Sequence, residues 1–145
     1  MSLSDSTNGF TEFEIPGRIC LFGDKIDLIG LPVIAAAIDT TMTIKIRPIS
    51  DRKVKLYTDT FQSGLEYRLG EKGDWEHPLK YWCAIITRLQ DRISGFEARV
   101  SSNIPVGSGL SSSAAISISL VKALNHQFQL GLNPNDIAEL AYLGE

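Results

Sequence analysis

Residues Pro105 to Ala115 read Pro-Val-Gly-Ser-Gly-Leu-Ser-Ser-Ser-Ala-Ala, a turn of small residues running into a long apolar segment. Gly107 and Gly109 are free to take positive φ, which brings backbone N–H groups near a ligand with no Cβ in the way. Ser111, Ser112 and Ser113 stand where a helix begins. A helix start carries unsatisfied N–H groups and roughly half a positive charge, so an anion placed there is both hydrogen-bonded and electrostatically stabilised. The three hydroxyls add donors, and one is able to ligate a hard cation such as magnesium. The same serines also read as an ordinary helix cap after a turn that needs glycine. General phosphate-loop patterns do not decide between the two, because no Gly-x-x-x-x-Gly-Lys-Ser/Thr occurs and Gly107-x-Gly109 lacks a third glycine.

A second polar group lies near the start of the chain, at Gly23-Asp24-Lys25-Ile26-Asp27-Leu28-Ile29-Gly30. Ionised carboxylates only accept hydrogen bonds, so Asp24 and Asp27, three apart between glycines, suit the hydroxyls of a polyol or sugar. Arg18 is a permanent cation able to orient a carboxylate or to stabilise a transferring phosphoryl group. Taken alone, the patch reads first as a solvated surface turn.

Both stretches resemble the GHMP small-molecule kinases. Pro105 to Ala114 is similar to the ATP-phosphate loop of that family, above all in its galactokinase form. Pro16-Gly17-Arg18-Ile19-Cys20-Leu21-Phe22-Gly23-Asp24 is similar to its N-terminal motif, an apolar strand leading to Gly-Glu-His. The galactokinase form continues Gly-Glu-His-Thr-Asp-Tyr-Asn-Gly. This chain has Asp24 for glutamate, Lys25 for histidine, Ile26 for threonine, a matching Asp27, and Leu28 for tyrosine.

The resemblance implies ATP-dependent phosphorylation of a hydroxyl on a sugar or sugar-like metabolite, with magnesium. By position, Arg18 sits beside a catalytic aspartate that this chain does not contain, and Asp24 and Asp27 hold substrate hydroxyls. Gly107, Ser108, Gly109, Leu110, Ser111, Ser112 and Ser113 wrap the ATP phosphates. Ser113 faces the metal, and Glu145 is a metal ligand. Lys25 has no counterpart in the common pattern; it contacts an anionic group on the substrate or pairs with Asp24. The Ser-Ser-Ser loop and the second aspartate lean toward sugars over a mevalonate-like acceptor.

The family also needs a C-terminal domain with a third glycine-rich motif, so the resemblance implies that residues 10–145 are an N-terminal domain after a flexible leader, residues 1–9. Such a domain alone is expected to be a poor catalyst, and to self-associate through surface left by the missing half. The competing reading is a non-catalytic nucleotide- or sugar-binding module of the same ancestry.

At 145 residues with a net charge of -3, the chain has one domain's worth of core and no basic field for nucleic acid. Cys20 and Cys83 lack metal-ligand spacing and read as reduced core residues. No signal segment or membrane span is evident, so a cytoplasmic protein is expected.

The fold class expected is α/β, a mixed sheet with helices on one face, which by resemblance has the topology of ribosomal protein S5 domain 2. An extended piece from Phe10 breaks at Pro16-Gly17 before a strand at Arg18–Phe22. The apolar run Val33–Ile38 predicts a central strand buried on both faces. Met42–Arg47 and Lys53–Thr58 alternate and predict an antiparallel hairpin, with a further strand at Leu65–Leu69. Pro78–Arg92 has Leu79, Trp82, Cys83, Ile86 and Leu89 at helical spacing. A strand at Phe96–Ser101 leads to the loop, Ala114–Leu130 forms a buried helix capped by Gly131, and Asn133-Pro134-x-Asp136 starts a last helix that turns Ile137, Leu140, Ala141 and Tyr142 inward.

Overall fold

The computed structural model describes residues 4–5 and 9–145, with side chains except those of residues 4, 5 and 27. Six strands, β1 (Ser4–Asp5), β2 (Thr11–Phe22), β3 (Ile34–Pro48), β4 (Lys53–Thr58), β5 (Ser63–Arg68) and β6 (Phe96–Ser102), form one mixed sheet in the order β1-β2-β3-β6-β4-β5. Only β4 and β6 run parallel; the other pairs are antiparallel. Three helices, α1 (Lys80–Leu89), α2 (Ser112–Gln127) and α3 (Pro134–Gly144), complete the expected α/β architecture.

Alternation along the strands decides which face they cover. Phe13 and Ile15 on β2, Met42, Ile44 and Ile46 on β3, Val54 and Leu56 on β4, and Phe96, Ala98 and Val100 on β6 are all buried in one cluster with Trp82, Leu120 and Leu124 of the helices. The opposite face is wet and charged. There Glu97 accepts hydrogen bonds from Arg47 (Nη2 2.6 Å) and Arg99 (Nε 3.1 Å). Burial alone would raise the Glu97 carboxyl, but these two guanidinium partners outweigh it and hold it below its ordinary value of 4.5. A depressed carboxylate contributes stability in full above its ordinary value and loses it as pH falls through the lowered one. Glu97→Gln is therefore expected to weaken the fold at neutral pH and to differ little from the parent in strong acid, as read by urea unfolding across pH.

Three expectations are corrected. The Met42–Arg47 and Lys53–Thr58 segments are not a hairpin, because β6 inserts between them, pairing with β3 (Ile44 opposite Val100) and with β4 (Leu56 opposite Ala98). Val33–Ile38 is not a central buried strand. From residue 34 it is the start of the long β3, and there only β2 pairs with it, Ile19 opposite Ala36, so the two strands leave the sheet as an exposed ribbon. Pro16-Gly17 does not break the chain but shifts the register inside β2. The ribbon and the turn beyond it expose Phe22 (71%) and Leu28 (82%) to solvent.

The helix ends follow local chemistry. Asn133 caps α3 by accepting from the N–H groups of Asn135 and Asp136, while Asp136 accepts from the Asn133 N–H in a reciprocal box with Pro134 in the first turn. Ala141 is buried, and Ile137 and Leu140 pack against the core. Tyr142 instead points to solvent, 78% exposed. Gly144 takes the inward position, close enough to Ile85 that a Cβ there would stand 2.6 Å from Cγ1. α2 ends before Gly131, at Phe128, and the chain turns through the left-handed Gln129.

Candidate functional site

β6 delivers the chain to the buried Ile104, and a tight turn follows in which the Ser108 hydroxyl donates to the Pro105 carbonyl at 2.8 Å. Gly107 and Gly109 both hold φ of 74°, with open space where a side chain would stand. Ser111 is also left-handed (φ 62°), a conformation that costs an L-residue about 1–2 kcal/mol. It precedes α2 without making a side-chain cap. The first helical bond runs from Ala115 N–H to Ser111 O at 2.9 Å, so Ser112, Ser113 and Ala114 present N–H groups with no helical acceptor. Ser111 therefore does not act as a side-chain cap, and the three N–H groups are open to a ligand or to water.

Beside this helix start is a cavity of about 170 Å³ with mostly apolar walls. Val106, Ser112 and Ser113 line it from the loop, Phe61 from the turn after β4, and Pro78 and Tyr81 from the start of α1. Trp82, next to Tyr81, is fully buried and donates its Nε1–H to the Ile116 carbonyl at 2.7 Å, a core role. Phe61 escaped the sequence reading. Its signal is an aromatic in the polar turn Asp59-Thr60-Phe61-Gln62, where packing gives no reason for one.

The N-terminal patch forms a second, smaller cavity of about 130 Å³, lined by Arg18, Cys20, Gly23, Asp24, Lys25 and residues of β3. Gly23 (φ 86°) turns the chain out of β2, Lys25 is left-handed (φ 70°), and Ile26–Ile29 make one 3-10 turn. Arg18, Asp24 and Lys25 are thus brought together, and none of them forms an ion pair or side-chain hydrogen bond with another described residue. Asp27 lies in the 3-10 turn, and its side chain is outside the described set.

The two groups meet. The Arg18 N–H donates to the Leu110 carbonyl at 3.1 Å, and a Cβ on Gly17 would stand 3.2 Å from the same oxygen. Glycine at position 17 lets the phosphate-loop candidate lie directly on the strand that carries the acidic patch.

Residues 79–145 match the family described as GHMP kinases N terminal domain. A solved structure, Lactococcus lactis galactokinase complexed with galactose, superposes on 96% of this chain with a TM-score of 0.87 and 33% identity. The chain carries a GHMP kinase N-terminal domain. Its curated relatives include mevalonate kinase of Methanocaldococcus jannaschii, 32% identical over 91% of this chain and 45% of that protein, and galactokinase of Thermococcus kodakarensis, 35% identical over 90% and 37%. This GHMP domain therefore spans less than half the length of the relatives it matches, and the two kinds of kinase match it about equally well.

The metal candidates remain apart in the GHMP domain. Ser113 lines the cavity beside the start of α2, whereas Glu145, exposed at the end of α3, lines a separate one, and Tyr81 touches both. Among the described residues no three His, Cys, Asp or Glu side chains gather as a metal site, and no helix is long and apolar enough to cross a membrane.

The cysteines also divide, which corrects their common assignment to the core. Cys83 is buried, and burial pushes its thiol up. Cys20 is half-buried on the ribbon, at the wall of the smaller cavity, because β3 alone covers that edge of β2. In the folded chain one thiol, Cys20, is expected to react with a disulfide reagent at least about tenfold faster than Cys83. Mass mapping of the labelled peptides checks this.

Proposed function

We propose that residues 10–145 are the N-terminal domain of an ATP-dependent small-molecule kinase that phosphorylates a hydroxyl on a sugar or sugar-like metabolite. The observation that carries this reading is the Arg18 N–H to Leu110 carbonyl bond, which fixes the donor-side loop against the acceptor-side patch. Phosphoryl transfer needs little beyond such positioning and charge stabilisation.

In this reading the N–H groups of Ser112, Ser113 and Ala114, with the open backbone around Gly107 and Gly109, hold phosphate oxygens of ATP. The adjoining apolar cavity, with Phe61 and Tyr81, takes the base. Asp24 and Asp27 accept hydrogen bonds from substrate hydroxyls, and Arg18 offsets negative charge at the transferring group. Bound magnesium would neutralise phosphate charge, with Ser113 and Glu145 as its contacts from this domain. With those two on separate cavities, the remaining contacts must come from the nucleotide, water or further protein. The acid patch leans the acceptor toward sugars, while the comparable match to mevalonate kinases keeps an acyclic hydroxy acid in the test.

The absence of an acidic cluster among the described residues favours a second reading, a module that binds nucleotide or sugar without transfer. Both are tested by ADP release from this chain and from any longer product of its gene, with galactose, galacturonate and mevalonate as acceptors. The kinase reading expects release by the longer product that depends on one acceptor. Nucleotide binding with no acceptor-dependent release would instead select the binding module.

A further inference from the structure

The smaller cavity holds two cationic side chains, Arg18 from β2 and Lys25 from the turn after it. Asp24 is the one carboxylate among its described side chains, and it pairs with neither. The rest of the wall, Cys20, Gly23, Val33 and Ala35, carries no charge. Among the described side chains the cavity thus sets two unpaired cations beside one carboxylate.

Lys25 stands there at φ 70°, a conformation that glycine adopts without strain and a lysine does not. Its place at the rim is held against that local cost by the Gly23 turn, in which Ile26 N–H donates to the Gly23 carbonyl at 3.1 Å. Pairing with Asp24, the simplest use for such a lysine, does not occur.

We propose that the acceptor carries an anionic group, a carboxylate or a phosphate, and that Lys25 is the residue that selects it. The inference rests on the kinase reading for the site being an acceptor site, and on the unpaired Lys25 ammonium at the cavity wall for the charge it favours. A neutral sugar would leave the Lys25 ammonium without an ionic partner, whereas an anion gains a charge-assisted hydrogen bond from it. Because the cavity is open to water, the gain is modest and falls with salt.

The test measures binding of galactose, galacturonate and galactose 6-phosphate to the 145-residue chain at low ionic strength, for the parent, Lys25→Gln and Lys25→Arg. At least one anionic sugar is expected to bind about tenfold more tightly than galactose. Lys25→Gln should bring the two within about twofold, and Lys25→Arg, which bears the same backbone strain, should keep the preference. Preference for galacturonate alone assigns a carboxylate, and for the phosphate ester alone a phosphoryl group. Equal affinity in the parent, no binding of either anion, or a preference that survives Lys25→Gln overturns the proposal. Titration of the same samples with adenylyl imidodiphosphate reports separately on the phosphate loop, and acceptor-dependent ADP release reports on the kinase reading, so failure of the anion preference is distinguishable from failure of either.

Discussion

Trp82→Ala is expected to destabilise the chain by about 3–5 kcal/mol, the usual cost of emptying a large aromatic site in a packed core. Trp82 is fully buried, and its indole N–H is the polar tie between α1 and the Ile116 carbonyl in the second turn of α2. Its loss removes both the packing and the bond that fix α2 relative to α1. Those two helices place Ser112, Ser113 and Tyr81 around the cavity beside the phosphate-loop candidate. A domain of this size has roughly 5–15 kcal/mol in all, so the urea midpoint should fall by a large fraction. Trp82→Phe, which keeps most of the packing, should cost about 1–2 kcal/mol.

Gly17→Val has the second large effect and acts directly on the candidate site. The Cβ position at residue 17 is already 3.2 Å from the Leu110 carbonyl and from the ends of Ile38 and Ile104, so alanine requires small shifts and valine a displacement of the loop. Overpacking of this kind costs about 1–3 kcal/mol. The valine should also break the Arg18 to Leu110 bond, moving the loop off β2. Nucleotide affinity is expected to fall about tenfold, the equivalent of one charge-assisted hydrogen bond. Unchanged affinity in a destabilised variant would mean that the loop and the strand are not coupled.

The sequence was most informative where chemistry is local. The Asn133–Asp136 capping box, the buried stripe of α1 and the glycine turn before α2 each depend on residues a few positions apart. Strand partnership depends on distant ones. Nothing in the alternation of Met42–Arg47 says that β6, some fifty residues later (Ile44 opposite Val100), will lie between it and β4. The apolar run Val33–Ile38 misled for a related reason, since a continuous apolar strand implies burial only when neighbours cover both of its sides, and here β2 alone does. Tyr142 and Gly144 show a third limit. Helical spacing marks a face but not how closely α3 approaches Ile85, and that approach leaves room for glycine only. Within the site, the loop and the Arg18, Asp24 and Lys25 patch were legible as separate motifs. Their contact through Leu110, and the part of Phe61 in the cavity beside the start of α2, needed the fold.

The central claim is that the turn at Pro105 to Ala115 holds nucleotide phosphates beside the N-terminal patch. Amide NMR during titration with adenylyl imidodiphosphate and magnesium tests it most directly. The account predicts saturable shifts at Gly107, Gly109, Ser112, Ser113 and Ala114, with smaller ones at Arg18 through its bond to Leu110 and at Phe61 and Tyr81 around the cavity. Saturable binding that leaves these amides unmoved, or no binding at all, would contradict it.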